Sequence, residues 1–378
     1  MPLSVNDRDI HHFVNEYYKE VYLEHRPPGL QINEWIVNDV TNMSKLFYNK
    51  PLFNEPLDKW NVSNVTNMSE MFRGATNFNQ PINNWNVSKV TNMKEMFRGA
   101  TSFNQPIDTI FIANNKSKWN VSNVTNMSGM FEEATNFNQT LDTWNVSNVT
   151  NMSRMFMRAT SFDQPINTLV MPNNKSKWDV KNVTDMSEMF SGATSFNQLL
   201  NRWNVSNVID MSGMFEEAIN FNQPLNTWNV SKVRSMPGMF SGATSFNQPI
   251  NNWDVSSVTD KDEMFMGATS FNQDNYPDIW REHDNQSEDD NQSEVFSDYP
   301  LEPLKKSEFT INPSTDVGFD YVGYEDVKIS NYLEDKDNIV FYKKINENPD
   351  PVPDVLYTKS RLKKLYTDLE EIKSSILY

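Results

Sequence analysis

The chain has 378 residues, 50 acidic against 33 basic side chains and a formal net charge of −17. That balance argues against a general nucleic-acid binder, which needs a basic surface, and against adhesion to an anionic membrane. With no cysteine there is neither a disulfide framework nor thiolate chemistry.

Residues 1–34 open without a basic segment leading into an apolar run, and no stretch reaches the length of a membrane span. The expectation is a soluble intracellular protein, with virion or surface association left open. Ile10, Phe13, Val14, Tyr17, Tyr18, Val21 and Tyr22 have helical spacing up to Pro27-Pro28-Gly29, predicting an amphipathic helix that caps the next segment of the chain. His11 and His12 lack spaced partner ligands and read as ordinary polar residues.

From Trp35 to about residue 280 one motif recurs. Nine tryptophans, Trp35, Trp60, Trp85, Trp119, Trp144, Trp178, Trp203, Trp228 and Trp253, each open a copy, separated by 25 residues or, twice, by 34. Counted from its tryptophan, the unit places Val at 3 and 6, Met at 9 and 12, Phe at 13 and 19, Ala at 16 and Ile or Leu at 23, as in 60–84. Such a period predicts a solenoid, an α/β repeat stack in which each coil buries its apolar face on the next. Positions 9, 12, 13 and 16 have helical spacing, position 8 is always Asn, Asp or Ser, and Pro237 falls at position 10. A short helix near 9–14 is therefore expected, capped at position 8 and ended by glycines at 15 such as Gly74. Segments such as INNWNVSKV at 82–90 are expected to pair as short parallel strands. The recurrent Asn-Gln at 20 and 21, as in Asn79-Gln80, predicts amides bonded along the stack.

WNVSNVTNMSEMF followed by FNQPIN resembles the BspA-type leucine-rich-repeat family, whose repeats occur in bacterial surface proteins and in large DNA viruses. The resemblance covers Trp35 to about Ile279 and implies a right-handed, leucine-rich-repeat-like solenoid acting as a binding scaffold. It implies no catalytic residues.

Two departures from the period carry the sharpest functional signal. Repeats three and five each hold nine extra residues before the next tryptophan, IFIANNKSK at 110–118 and LVMPNNKSK at 169–177. Ile110, Phe111, Leu169 and Met171 beside Lys116, Lys118, Lys175 and Lys177 form a candidate partner-binding patch, since insertions in repeat arrays often map to the binding face. The alternative is an extra strand laid on neighbouring coils with solvated lysines. Position 14 (Arg73, Arg98, Glu132, Met157, Glu216) offers a second variable surface, expected to be exposed. The recurrent Asn-x-Ser triplets match a glycosylation acceptor, but the repeat itself explains them.

After the ninth repeat, 281–300 is strongly acidic and reads as a flexible linker. Residues 301–378 abandon the repeat. Strands are expected around 321–324, 327–329 and 338–342, then a helix carrying Leu362, Leu365, Leu369, Ile372 and Ile376, together a small α+β region. No catalytic cluster, metal set or cofactor motif is visible, so the expectation is a non-enzymatic protein–protein interaction scaffold without cofactors. The rivals are a surface adhesin, or repeats that choose the target of an activity in the tail.

Overall fold

The computed structural model describes residues 3–23, 31–108, 110–112, 116–170, 176–277, 280, 340–342 and 355–357. The chain divides into two units, Met1–Asn291 and Gln292–Tyr378.

Within the first unit, each repeat sends its backbone hydrogen bonds alternately in two directions. In the second repeat, the N–H groups of Met68, Glu70, Phe72 and Gly74 donate to the carbonyls of Asn92, Lys94, Met96 and Arg98 in the third, at 2.7–3.0 Å. Between them, Met71, Arg73 and Ala75 donate back three residues, to Met68, Glu70 and Phe72. Positions 11 and 15 have positive φ in all nine repeats, between +51° and +70°. A bond from the fourth residue to the first, with positive φ at the third, is a type II turn. Positions 9–12 and 13–16 are therefore two such turns.

This corrects the expected helix. A helix would return its N–H groups to carbonyls four residues back in the same segment; here every second one serves the neighbouring repeat. The residues that suggested helix ends serve turns instead. Asn67 Oδ1 accepts from the Ser69 N–H at 3.0 Å, an Asx turn with the same donor–acceptor chemistry as a cap. Pro237 occupies the second position of a type II turn, where its fixed φ fits. The expected strands are corrected too. Among the described residues, repeat-to-repeat pairing consists of single parallel bridges at position 8, from Asn42 with Asn67 to Ser235 with Asp260. Position 1 to 6 segments bend through tight turns, as in Trp85 N–H to the Ile82 carbonyl and Val90 N–H to the Val87 carbonyl.

The turns deliver the apolar side chains into continuous files. Phenylalanines at 13 stack on one another at ring separations of 5.2–5.8 Å, from Phe47 to Phe265. Those at 19 form a second file, each lying about 4 Å from the ring at 13 of its own repeat, as in Phe72 and Phe78. Buried indole N–H groups need an acceptor. Trp85 finds the Leu57 carbonyl at 3.1 Å, and each later repeat tryptophan bonds the equivalent carbonyl. Outside the apolar interior, Asn79 Oδ1 accepts both the Asn104 N–H and the Gln105 side chain, at 3.0 and 3.1 Å. Asp163 takes the same place beneath Asn197 and Gln198.

The ends are finished differently. At the start, β1 (Ser4–Asn6) pairs in parallel with β2 (Ile36–Asp39). Then α1 (Ile10–Tyr18) buries Ile10, Val14 and Tyr17, with Phe13 and Tyr17 edge-on to Trp35. Asp7 stands in for a preceding repeat, accepting from the Thr41 and Asn42 N–H groups at 2.7 and 3.0 Å. Trp35 alone among the repeat indoles lacks a partner among the described residues, because no repeat precedes it. At the far end Tyr276 sets its ring edge-on to Phe265 and Phe271, 5.0 and 5.5 Å away, and closes both phenylalanine files.

The two insertions form short hairpins. β3 (Ile110–Ile112) pairs antiparallel with β4 (Lys116–Lys118), and β5 (Leu169–Val170) with β6 (Ser176–Lys177). In the second unit β7 (Val340–Tyr342) pairs antiparallel with β8 (Val355–Tyr357). The acidic segment 281–300, the strands expected at 321–329 and the helix expected at 362–376 lie outside the described residues.

The amide file is testable. Asn79→Ala removes an acceptor used twice and is expected to cost about 1–3 kcal/mol in urea unfolding. Asn79→Asp keeps the acceptor, as Asp163 does, and should cost clearly less; equal losses would show that the file contributes nothing.

Candidate functional site

Each insertion folds on itself. The first hairpin matches Ile110 with Lys118 and Ile112 with Lys116; the second matches Leu169 with Lys177. The backbones of Ile110, Phe111, Lys116, Lys118, Leu169 and Lys177 are thereby placed in two hairpins, rather than in strands added to neighbouring repeats. Met171 and Lys175 lie outside the described residues.

The detours leave the stack intact. Trp119 and Trp178 re-enter with φ of +50° and +48°. Their backbone N–H groups, which in other repeats close a tight turn, bond the carbonyls of Trp85 and Trp144 at 3.1 Å. Both indoles stay fully buried and keep their carbonyl partners.

The turn segments build a second feature, a charged file along positions 10, 11 and 14. Glu70 and Glu95 flank Arg73 at 3.2 and 2.6 Å. Arg98 reaches Glu95 at 3.3 Å and Glu132 at 3.0 Å. Arg154 grips Glu188 through two nitrogens, at 3.2 and 3.3 Å. Position 14 is not the exposed surface expected from the sequence: Arg73 and Arg98 are half-buried, and Glu132 is only 3% exposed. It sits between the turns of adjacent repeats, where Arg73 meets position 11 of its own repeat and of the following one, Glu70 and Glu95.

Repeat four differs from repeats two and three in its turns, at positions 11, 14 and 15. Position 11 is Gly129, and a Cβ there would stand 2.8 Å from Glu95 Cγ and 3.0 Å from Glu132 Oε2. The Glu95 and Glu132 side chains take up that space, and they also line a cleft of about 360 Å³ together with Lys94, Ser128, Gly129 and Arg154. Burial works to raise the Glu95 carboxyl, but Arg73, Arg98 and Lys94 outweigh it and hold the group below its ordinary value. For Glu132 burial wins over Arg98 and Arg154, with Glu133 and Glu95 adding repulsion, and the carboxyl is pushed up to about 7. Sequence reasoning named Glu132 but not the cleft. The signal was there: SGMFEEA at 128–134 moves the glycine from position 15 to position 11, relative to SEMFRGA at 69–75. Among the described residues no group of His, Cys, Asp and Glu side chains could hold a metal ion, and no helix is long and apolar enough to cross a membrane.

Glu132 and Gly129 each give an expected outcome. A carboxyl with its folded pKa raised from 4.5 to about 7 contributes stability that is full below pH 4.5 and is lost as pH rises through 7. Its ionisation should cost on the order of 2–3 kcal/mol by pH 8, and Glu132→Gln should flatten the fall in Tm between pH 5 and pH 8. Parallel profiles for the two proteins would refute the raised value. Gly129→Ala should destabilise more than Gly238→Ala, since both have φ near +60° but a Cβ at Gly238 meets nothing closer than 3.8 Å. About 1 kcal/mol is expected for Gly238→Ala and roughly 1–2 kcal/mol more for Gly129→Ala, read by chemical unfolding.

No curated protein and no solved structure matches the chain. A family model does, in three consecutive segments, residues 19–117, 109–175 and 168–280. The segments meet at the two hairpins, where the 25-residue period is interrupted. Tandem matches over this span, about two thirds of the chain, show a repeat protein, and the chain belongs to the family described as Mycoplasma protein of unknown function, DUF285.

Proposed function

We propose that the chain is a non-enzymatic protein–protein interaction scaffold, and that its repeats form a right-handed, leucine-rich-repeat-like solenoid of the BspA type. The observation that carries this reading is the placement of the two hairpins. They leave the stack at the same point of repeats three and five, while the tryptophans after them stay buried and bonded. Segments that leave the buried side chains in place are free to serve recognition. The family membership supports the reading by placing the chain among repeat proteins. The net charge of −17 favours a protein partner over a nucleic acid.

The test compares the full chain with a variant lacking residues 110–118 and 169–177, each used to capture partners that are then identified and remeasured with purified components. The expected result is a saturable partner of the full chain, bound at least tenfold more weakly by the variant at unchanged Tm. Equal binding by both proteins would remove the hairpins from the reading. Absence of any saturable partner would remove the scaffold role.

A further inference from the structure

We propose that the two hairpins together form a receptor for one short acidic segment of a protein partner. This rests on the scaffold reading and gives its recognition element a chemistry.

The two insertions are copies of one device. Each carries the run Asn-Asn-Lys-Ser-Lys, at 114–118 and at 173–177, and each holds two lysines and no acid. The backbone pairs them in equivalent register. Ile110 stands opposite Lys118 and Phe111 opposite Ser117 in the first hairpin, Leu169 opposite Lys177 and Val170 opposite Ser176 in the second. Cross-strand partners, and residues two apart in one strand, share a face of such a ribbon. Lys116 and Lys118 therefore belong to the face of Ile112 and Ile110, and Lys177 belongs to the corresponding face of the second hairpin, with Leu169. The serines fall on the opposite face. In both hairpins one face thus sets lysine on the returning strand beside an apolar residue on the outgoing one.

Charge and spacing select the occupant. The acids at the roots of the hairpins are already engaged. Asp108 accepts from the Thr143 N–H and hydroxyl, and Asp179 pairs with Lys181 at 3.2 Å. A long polyanion would extend past the hairpins along a chain of net charge −17, whereas a short run of carboxylates meets the hairpins alone. The hairpins rejoin the stack at Trp119 and Trp178, two repeats apart, and each repeat adds 5.6–5.7 Å between like rings. Between these roots lie about three or four residues of extended chain, at roughly 3.3 Å each, so one short segment serves both hairpins. Exposed ion pairs are individually weak. Two sets on one segment make the second contact intramolecular, which raises affinity without any new kind of contact.

The test titrates the full chain with acetyl-(Glu-Ala)5-amide by calorimetry, with acetyl-(Gln-Ala)5-amide as the uncharged control and an eight-residue oligothymidylate as the rival polyanion. Saturable binding of the glutamate peptide is expected, weakening as salt is raised. The combined substitution Lys116→Gln, Lys118→Gln and Lys177→Gln should weaken it at least tenfold at unchanged Tm. Lys59→Gln, Lys89→Gln and Lys232→Gln together remove the same charge from exposed positions outside the hairpins and should not. Deleting either 110–118 or 169–177 alone should also cost at least tenfold. No saturable binding, equal binding of the glutamine peptide, tighter binding of the oligothymidylate, indifference to the hairpin lysines, or full affinity with one hairpin deleted each overturns the proposal. A captured partner lost on hairpin deletion but kept by the lysine variant would leave the scaffold role standing and sink the acidic segment; glutamate-peptide binding without any captured partner would do the reverse.

Discussion

The backbone of positions 9–16 carries the whole architecture, because each of its N–H groups is committed in one of two directions. Odd positions bond the next repeat and even positions close a turn. The pattern admits no helix and no long strand, and it requires positive φ twice per repeat. Glycine meets that demand cheaply, yet Glu70, Glu95 and Arg158 meet it as well. A non-glycine residue in the left-handed region costs about 1 kcal/mol or more, and here the cost is offset by a bond to the neighbour and by charge pairing across the turn. Backbone geometry and surface electrostatics thus act on the same residues.

That coupling explains the charged file. A side chain leaving the third position of a type II turn lies against the equivalent turn of the adjacent repeat, so charges at 11 and 14 meet across repeats rather than facing water. Arg73 between Glu70 and Glu95 is a satisfied case. Glu132 is the exception, so deeply buried that Arg98 and Arg154 do not hold its carboxyl down. The hairpins obey another logic. They are anchored by the backbone of Trp119 and Trp178, which take positive φ and send their N–H groups to the preceding tryptophans, so that both indoles stay buried.

The legible part of the structure is the part that repeats. Burial of the Trp, Val, Met, Phe and Ala positions, the stacking of like on like and the amide file could all be read from the period, because each depends on identity at a fixed place. The local conformation could not. Spacing of 9, 12, 13 and 16 fits a helix and a pair of linked turns equally, since both bring residues three apart to one side. Asn at 8 and Pro at 10 suit either. The deciding signal was the glycine that alternates between 11 and 15, a positive-φ demand at two places that a single helix terminus does not explain. The exposure of position 14 was misjudged for the same reason: a helix would have turned it outward. The cleft was harder to read than the glycine shift that marks it, because its walls come from four repeats.

The bonds between repeats at positions 9 to 15 all run one way, each N–H pointing toward the later copy. An interior copy therefore meets the same donors below and acceptors above wherever it lies in the series. Duplicating or deleting 25 residues at a tryptophan changes the reach of the molecule and the distance between its two hairpins without asking for any new kind of contact. Only Asp7 with α1, and Tyr276 at the opposite limit, are bound to their places. Array length is thus a quantity that gene duplication can adjust freely, while the two closing pieces are inherited as they stand.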